Sequence, residues 1–432
     1  MSQRRMKFLW FVIGSLFGGI VTGAVIVALV GLELFAPGKK NLEQTDAGGF
    51  ESIPPVKPVN CPQLSPATAP WHAADDTSAA KRIARLEVPR SLERRVGFWK
   101  QIWGQHPDHV YFFIDRRRPW VIHRKIDCRD LLVAEVMSGE AEIRCDQRLI
   151  DAKKKLKRTL RRQRRRPRRA LLGSFDNNRR FASNAYRNLM VIEGRKGSFD
   201  RAHQRIERYL ADVEHIFLSQ GLLPSLARVA IIESLANPLA ASPQGAVGAY
   251  QFVAGTARQY LTVNDDVDER LDPLREGWAA ASYLKELYTD FRSWPLALTA
   301  YNTGPARLKR VIRHRRTRDI GKLADRGGSG NFGFDGQNYY AQLAAIIELI
   351  GAPLAGKSDG EWSVYRVEKP LPLSEASRCL AVAKERIARE NPALLDSVIQ
   401  DQKDIPIGYL IVLRKQDEAG AQALPQSGSR HP

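Results

Sequence analysis

The sequence predicts a mainly α-helical protein, with smaller α+β regions flanking a helical centre and a membrane-spanning helix near the N-terminus. Three observations carry this expectation. Apolar residues recur at helical spacing through the middle of the chain, as at Ile206, Leu210, Val213, Ile216 and Phe217. Helix starts with proline in the first turn stand at Asp272-Pro273 and Ser293-Trp294-Pro295. Strand-like runs, at 110–114 and 363–367, lie before and after that centre.

The chain has 432 residues, enough for two or three domains and a sizeable core. Its 44% hydrophobic and 26% charged content is that of a globular protein. The net charge of +20 points to anionic surroundings: membrane, nucleic acid or cell-wall polymer.

Residues 8–32 form a 25-residue stretch without a charge, long enough to span a bilayer as a helix. Arg4, Arg5 and Lys7 precede it, so residues 1–7 are expected to stay in the cytoplasm and the rest to lie outside. A cleaved signal peptide is the rival reading, but its apolar core would be shorter and followed by a small-residue cleavage site. Residues 33–80 are rich in Pro, Gly, Ala and Asp with little periodicity and read as a tether.

Residues 81–215 read as an accessory region of mixed pattern. Phe98-Trp99 marks a helix, and strands are expected at 110–114 and around 120–122. Twelve of the seventeen residues in 153–169 are Lys or Arg, with no acid among them. No aromatic side chain is interleaved for base stacking, and the anchor places the segment outside the cytoplasm, so no nucleic acid is expected. Anionic lipid headgroups fit a tethered protein better, anionic wall polymer is a further candidate, and a solvated basic helix broken at Pro167 is the plain alternative. From 174 to 220 the pattern reads as helical.

Residues 216–350 hold the strings that suggest chemistry. A helix beginning at Leu223-Pro224-Ser225 carries Leu226, Val229, Ala230, Ile231 and Ile232, and is expected to end before Pro238. Glu233 then falls in or near the last turn, at the negative end of the helix dipole and beside two isoleucines. Both surroundings favour a protonated carboxyl, as a general acid requires. The plain alternative is a solvent-facing Glu. Next comes a loop of small residues with Ser242, Gly245, Ala246 and Gly248, which lets backbone approach a ligand closely. Tyr250, Gln251 and Phe252 follow with an amide between aromatic rings. The helix from Trp294 carries Ala297, Ala300 and Tyr301 and stops at Asn302-Thr303-Gly304.

In this order and spacing the strings resemble the catalytic domain of lytic transglycosylases, related to goose-type lysozymes, and most of all the membrane-bound D type. The resemblance rests on Glu233-Ser234, on Ser242, Gly245, Ala246, Gly248 and Gln251, on Ala300-Tyr301-Asn302 with Gly304, and on the 267–273 segment between the second and third motifs. The sequence departs from the family at Ala249 and Tyr250. It departs again at 336–341, where Tyr339 lies in the nearest match to a later Glu-Thr…Tyr-Val motif.

The resemblance implies a lysozyme-like α-helical catalytic domain that cleaves glycan strands of peptidoglycan at the β-1,4 bond after N-acetylmuramic acid. It implies Glu233 as the acid, Tyr301 as the group orienting it, and Ser234 as a hold on its carboxyl. Ser242, Gly248, Gln251 and Asn302 would bind the sugar or shape the cleft, with Tyr250, Trp278 and Trp294 as groove or core aromatics. The product would carry a 1,6-anhydro ring. A lysozyme-type hydrolase is the nearest rival; it needs a second carboxylate, for which Asp265, Asp266, Asp268, Glu269 and Asp272 are available. A non-catalytic wall-binding scaffold is the other.

Residues 362–414 read as a small unit with a strand at 363–367, helices near 374–389 and an apolar run at 405–412. The unit resembles a degenerate LysM-like glycan-binding repeat that lacks the usual Gly-Asp-Thr-Leu start. Residues 415–432 read as a disordered tail. Of the four cysteines, Cys61, Cys128, Cys145 and Cys379, none has metal-site spacing, and Cys128 with Cys145 is a candidate disulfide outside the cytoplasm. With no His/Cys cluster and no phosphate loop, neither metal nor cofactor is expected.

Overall fold

The computed structural model describes residues 61–70, 86–130, 140–165, 185–325, 332–353 and 362–415. The uncharged stretch 8–32, most of the proposed tether, the end of the basic segment and residues 416–432 lie outside them. Among the described residues no helix is long and apolar enough to cross a membrane.

The expected helical centre is present. A short helix α4 (Leu210–Ser219) leads through a 3-10 turn (Pro224–Arg228) into α5 (Val229–Ser234). Around these pack α7 (Pro273–Phe291), α8 (Trp294–Thr303) and α11 (Phe334–Ile350). Asp272 caps α7, accepting from the N–H groups of Leu274 and Arg275, ahead of Pro273. The facing surfaces are lined with alanines that are almost wholly buried: Ala279, Ala280 and Ala281 on α7, Ala297 and Ala300 on α8, Ala341, Ala344 and Ala345 on α11. Small side chains let the helix axes approach closely, which brings polar groups on different helices within reach of one another.

The 81–215 region is less separate than its sequence suggests. Helix α1 (Glu93–Gly104) lies along α11, and its Val96, Trp99, Ile102 and Trp103 belong to the same core as Tyr339 and Ile346. Asn338, fully buried on α11, accepts from Trp99 Nε1 at 3.0 Å and Arg95 Nη1 at 2.8 Å. Beside it stands an antiparallel sheet in the order β3-β2-β4, formed by β2 (Val110–Asp115), β3 (Ile122–Asp127) and β4 (Leu189–Glu193). The second strand therefore begins at Ile122, where the sequence reading centred it on 120–122. The helical expectation for 174–220 also fails at 189–193. There the apolar Leu189, Val191 and Ile192 add an edge strand to β2, with Val191 opposite Phe113.

Helix α2 (Glu140–Arg165) contains the basic residues up to 165. Cys145, Leu149, Ala152 and Leu160 form its apolar stripe and pack on Phe113, Ile126 and Val191. Between 144 and 162 its Arg and Lys side chains are exposed or half-buried. A Cys128–Cys145 disulfide ties it to the end of β3.

Part of the supposed tether is structured. β1 (Leu64–Pro66) pairs with β7 (Trp362–Val367), which pairs with β8 (Leu410–Arg414), and Cys61 is bonded to Cys379. Three residues are too few to show alternation, and the partner strand lies some 300 residues away, so sequence pattern alone does not reveal the pairing. Between β7 and β8 run α12 (Leu373–Leu380), α13 (Lys384–Glu390) and α14 (Asp396–Ile399). This unit is docked on the helical centre: Val267 sits in its core, and Asp268 N–H donates to Ala393 O at 2.9 Å. Arg275 donates to Leu410 O and lies 4.5 Å from the centre of the Tyr409 ring.

Candidate active site

Helix α5 is only six residues long, and Glu233 is its penultimate residue. The helix ends well before Pro238 because Leu235 and Ala236 both adopt the left-handed conformation, at φ of 56° and 55°. Such a conformation costs a non-glycine residue roughly 1–2 kcal/mol. Several bonds hold it. Leu235 N–H returns to Ile231 O and Ala236 N–H to Ala230 O, closing the helix end. Arg205 Nη1 donates to Leu235 O at 2.5 Å and Tyr209 Oη to Ala236 O at 3.0 Å.

Glu233 is half-buried and well desolvated. Its carboxylate Oε1 accepts a hydrogen bond from Tyr339 Oη on α11 at 2.6 Å. Burial pushes the Glu233 carboxyl up to about 7, against the downward pull of that hydrogen bond. Tyr339 itself is buried, which holds its phenol well above the usual range and keeps it a donor. A carboxyl that titrates near neutrality can give up a proton and take one back.

Helix α11 is fixed relative to α5 by Arg228, the residue immediately before α5. Its guanidinium pairs with Glu214 at 3.1 Å, both side chains fully buried, and donates to the carbonyls of Ile347, Gly351 and Ala352 at the end of α11. One cation thus closes the negative end of the helix that carries Tyr339.

The remaining residues singled out from sequence gather around the 248–252 loop. Ser234 Oγ donates to Ala249 O at 2.8 Å, and so links the helix of Glu233 to the loop without touching the carboxyl. Tyr301 Oη donates to Tyr250 O at 2.9 Å. It lies close enough to Glu233 to feel its charge, but the hydrogen bond expected of it belongs to Tyr339. Its ring packs against Phe252 and Tyr283, with centroids 6.1 and 5.5 Å away. Gln251 has φ of 56°, and its amide donates back to Gly248 O at 2.9 Å and Ala240 O at 3.2 Å. Gly248, at φ of 92°, has no room for a side chain: a Cβ there would meet Arg270 O at 2.1 Å and both carboxylate oxygens of Glu276 at 2.4 Å.

Ser242 serves its own turn, accepting from Ala246 N–H at 3.0 Å, and Asn302 is half-buried beside Tyr301 at the end of α8. Tyr250 is not a groove residue. It is fully buried, and its hydroxyl donates to Ala227 O at 2.8 Å. Trp278 and Trp294 are partly buried against the core, the latter stacked on Tyr288 at 4.4 Å. Among the described residues no group of three or more His, Cys, Asp or Glu is placed to hold a metal ion.

Two residues at the site, Tyr339 and Glu276, carry no local mark of their roles in the sequence. Tyr339 is one of two adjacent tyrosines in a degenerate motif, and Glu276 follows Asp272 and Arg275 among the charged residues at the start of α7. In neither case does local pattern indicate where the side chain ends.

Residues 219–324 match the family described as the transglycosylase SLT domain. Over 179 residues the chain is 29% identical to membrane-bound lytic murein transglycosylase D of Escherichia coli (strain K12), and equally to that of E. coli O6:H1. These alignments cover 41% of this chain and 36% of each relative, so the chain spans about a third of the length of the curated relatives it matches. The matched residues fall within the helical centre and include Glu233, the 242–252 loop and Tyr301.

Proposed function

We propose that this chain, with its transglycosylase SLT domain, is a peptidoglycan lytic transglycosylase that cleaves the β-1,4 bond between N-acetylmuramic acid and N-acetylglucosamine. The observation that carries the reading is the half-buried Glu233 carboxyl held by Tyr339 at 2.6 Å, where burial pushes it up to about 7. Protonated Glu233 gives its proton to the glycosidic oxygen as the C1–O bond breaks. The resulting carboxylate, held by the Tyr339 phenol, takes the proton of the 6-hydroxyl of the same muramic sugar. That oxygen bonds to C1 and closes a 1,6-anhydro ring, so no water enters and Glu233 ends protonated, ready for another cycle. The acetamido group of the substrate would assist, as in other exceptions to the two-carboxylate rule. Gln251, Ser242, Gly248 and Asn302 bind sugar or shape the cleft; Ser234 and Tyr301 hold the loop.

The rival hydrolase needs a second carboxylate to activate water. Three of the five acids available are engaged elsewhere. Asp268 pairs with Arg270 at 2.7 Å, Glu269 with Arg275 at 2.6 Å, and Asp272 caps α7 while pairing with Arg275 at 3.0 Å. This favours ring closure over hydrolysis.

The 8–32 stretch would anchor the enzyme in the inner membrane with the SLT domain on the periplasmic side, in keeping with the membrane-bound relatives. The exposed cations of α2 would rest on anionic lipid or wall polymer. The unit at 362–414, two paired strands with three short helices between them, would add a second glycan contact.

Mass analysis of digested sacculi tests the proposal. The expected products lack one water, about 18 mass units, at the muramic end relative to hydrolysis. Glu233→Gln should abolish digestion while leaving binding to sacculi intact; digestion that persists in this variant would refute the assignment.

A further inference from the structure

Glu276 is a fully buried acid that the mechanism above does not use. It stands in the first turn of α7, and the Asp272 cap fixes where that turn begins. Its carboxyl lies flat against Gly248: both oxygens are 2.4 Å from where a Cβ on that residue would stand. The backbone N–H groups of Ala249, Tyr250 and Phe252 face it. None reaches the geometry of a well-formed hydrogen bond. With Gln251 left-handed between them, these amides form a concavity of the kind that elsewhere cradles anions. Here the anion-sized group is supplied by the protein.

The carbonyl side of the same loop is held separately. Ser234 binds Ala249 O, Tyr301 binds Tyr250 O, and Arg270 Nη1 binds Phe252 O at 3.2 Å. The loop is therefore clamped between the helix carrying Glu233 on one side and α7 on the other. The α7 side of that clamp is Glu276. Burial pushes its carboxyl well up, while the facing amides and Arg270 pull it down.

We infer that Glu276 is a positioning residue whose carboxyl, seated under the 248–252 backbone, sets where that loop presents Gln251 to the glycan. The inference deepens the transglycosylase reading and depends on it for its substrate, but its structural half stands alone. Without the carboxyl, the three amides lose the group that faces them from α7, and the left-handed Gln251 rests on its own amide bonds to Gly248 O and Ala240 O. Glu233 keeps Tyr339 and its burial, so the acid itself is untouched. The effect then falls on substrate binding rather than on proton transfer.

Glu276→Gln, Glu276→Ala and Gly248→Ala test this in the full-length protein, the last by placing a methyl group where the carboxyl lies. Amide hydrogen exchange at Ala249, Tyr250 and Phe252 is expected to rise roughly tenfold, while amides of α11 stay protected. On soluble, uncross-linked glycan strands KM is expected to rise about tenfold with kcat within about threefold and the pH profile unmoved. A merely structural role would lower the active fraction and leave KM alone. Unchanged exchange at the three amides, or an unchanged KM in variants that fold, would overturn the inference. Loss of folding in all three would overturn it too, because the carboxyl would then be a general core element. Digestion retained by Glu233→Gln would instead remove the transglycosylase reading and leave the exchange result standing.

Discussion

The phenol of Tyr339 reaches the carboxyl of Glu233 across 106 positions of sequence, and the two oxygens lie 2.6 Å apart. Two opposing effects meet at this contact. Burial disfavours the Glu233 carboxylate, and the phenolic hydrogen bond favours it. The result lies at about 7, where one group can serve as acid and then as base.

Tyr339→Phe removes only the second effect. Glu233 should then titrate higher, and the alkaline limb of the pH–rate profile should move up by about one unit. The carboxylate formed after proton donation would also lose its fixed orientation, so kcat at pH 6 is expected to fall roughly tenfold. A profile recorded on soluble glycan strands, with kcat and KM separated, checks both expectations.

The same burial makes Glu233 a liability for folding. In the unfolded chain the carboxyl ionises near its ordinary value of 4.5, and in the folded protein at about 7. Between those values the folded state binds more protons than the unfolded state. Stability must therefore fall as pH rises through that window and stay lowered above it. Glu233→Gln removes the titration. It should leave stability unchanged near pH 4 and raise it by up to about 3 kcal/mol above pH 7, the gain growing between. Urea unfolding of both proteins at pH 4 and pH 8 measures the difference.

The placement of Glu233 at a helix end was legible in the sequence because it depends on neighbours. Leu223-Pro224 starts the turn, two isoleucines bury one side, and the chain must break before Pro238. Asp272-Pro273 and Ser293-Trp294-Pro295 were legible for the same local reason. What was not legible depends on where distant helices lie. The bond to Glu233 was expected of Tyr301, whose helix indeed passes close by. The packing of α8, however, aims its hydroxyl at Tyr250 O, and the packing of α11 brings in Tyr339. Tyr250 was a groove candidate only until its hydroxyl found Ala227 O inside the core. β1 and Cys61 looked like tether because their partners, β7 and Cys379, lie near the other end of the chain.

Arg228 links the folding of the domain to the geometry of its acid. Its guanidinium is fully buried, pairs with the equally buried Glu214, and donates to three carbonyls at the end of α11. Burial lowers its pKa and the adjacent Glu214 opposes the shift. Arg228→Ala would remove the cation that faces the buried Glu214 and would leave those α11 carbonyls without their donor. A loss of roughly 3–5 kcal/mol is expected. Arg228→Lys keeps the charge but not the planar fork that reaches Glu214 and the helix end together, so it should fall between the two. Replacing both partners, as Arg228→Met with Glu214→Leu, should cost less than Arg228→Ala alone, because no unpaired charge remains. If α11 is then free to shift at its C-terminal end, the Tyr339 bond to Glu233 loosens. The double variant should accordingly recover stability while its alkaline pH limb still moves upward. Denaturant unfolding and pH–rate profiles of the three variants separate the two effects; a double variant with wild-type pH dependence would show that α11 is positioned by its packing alone.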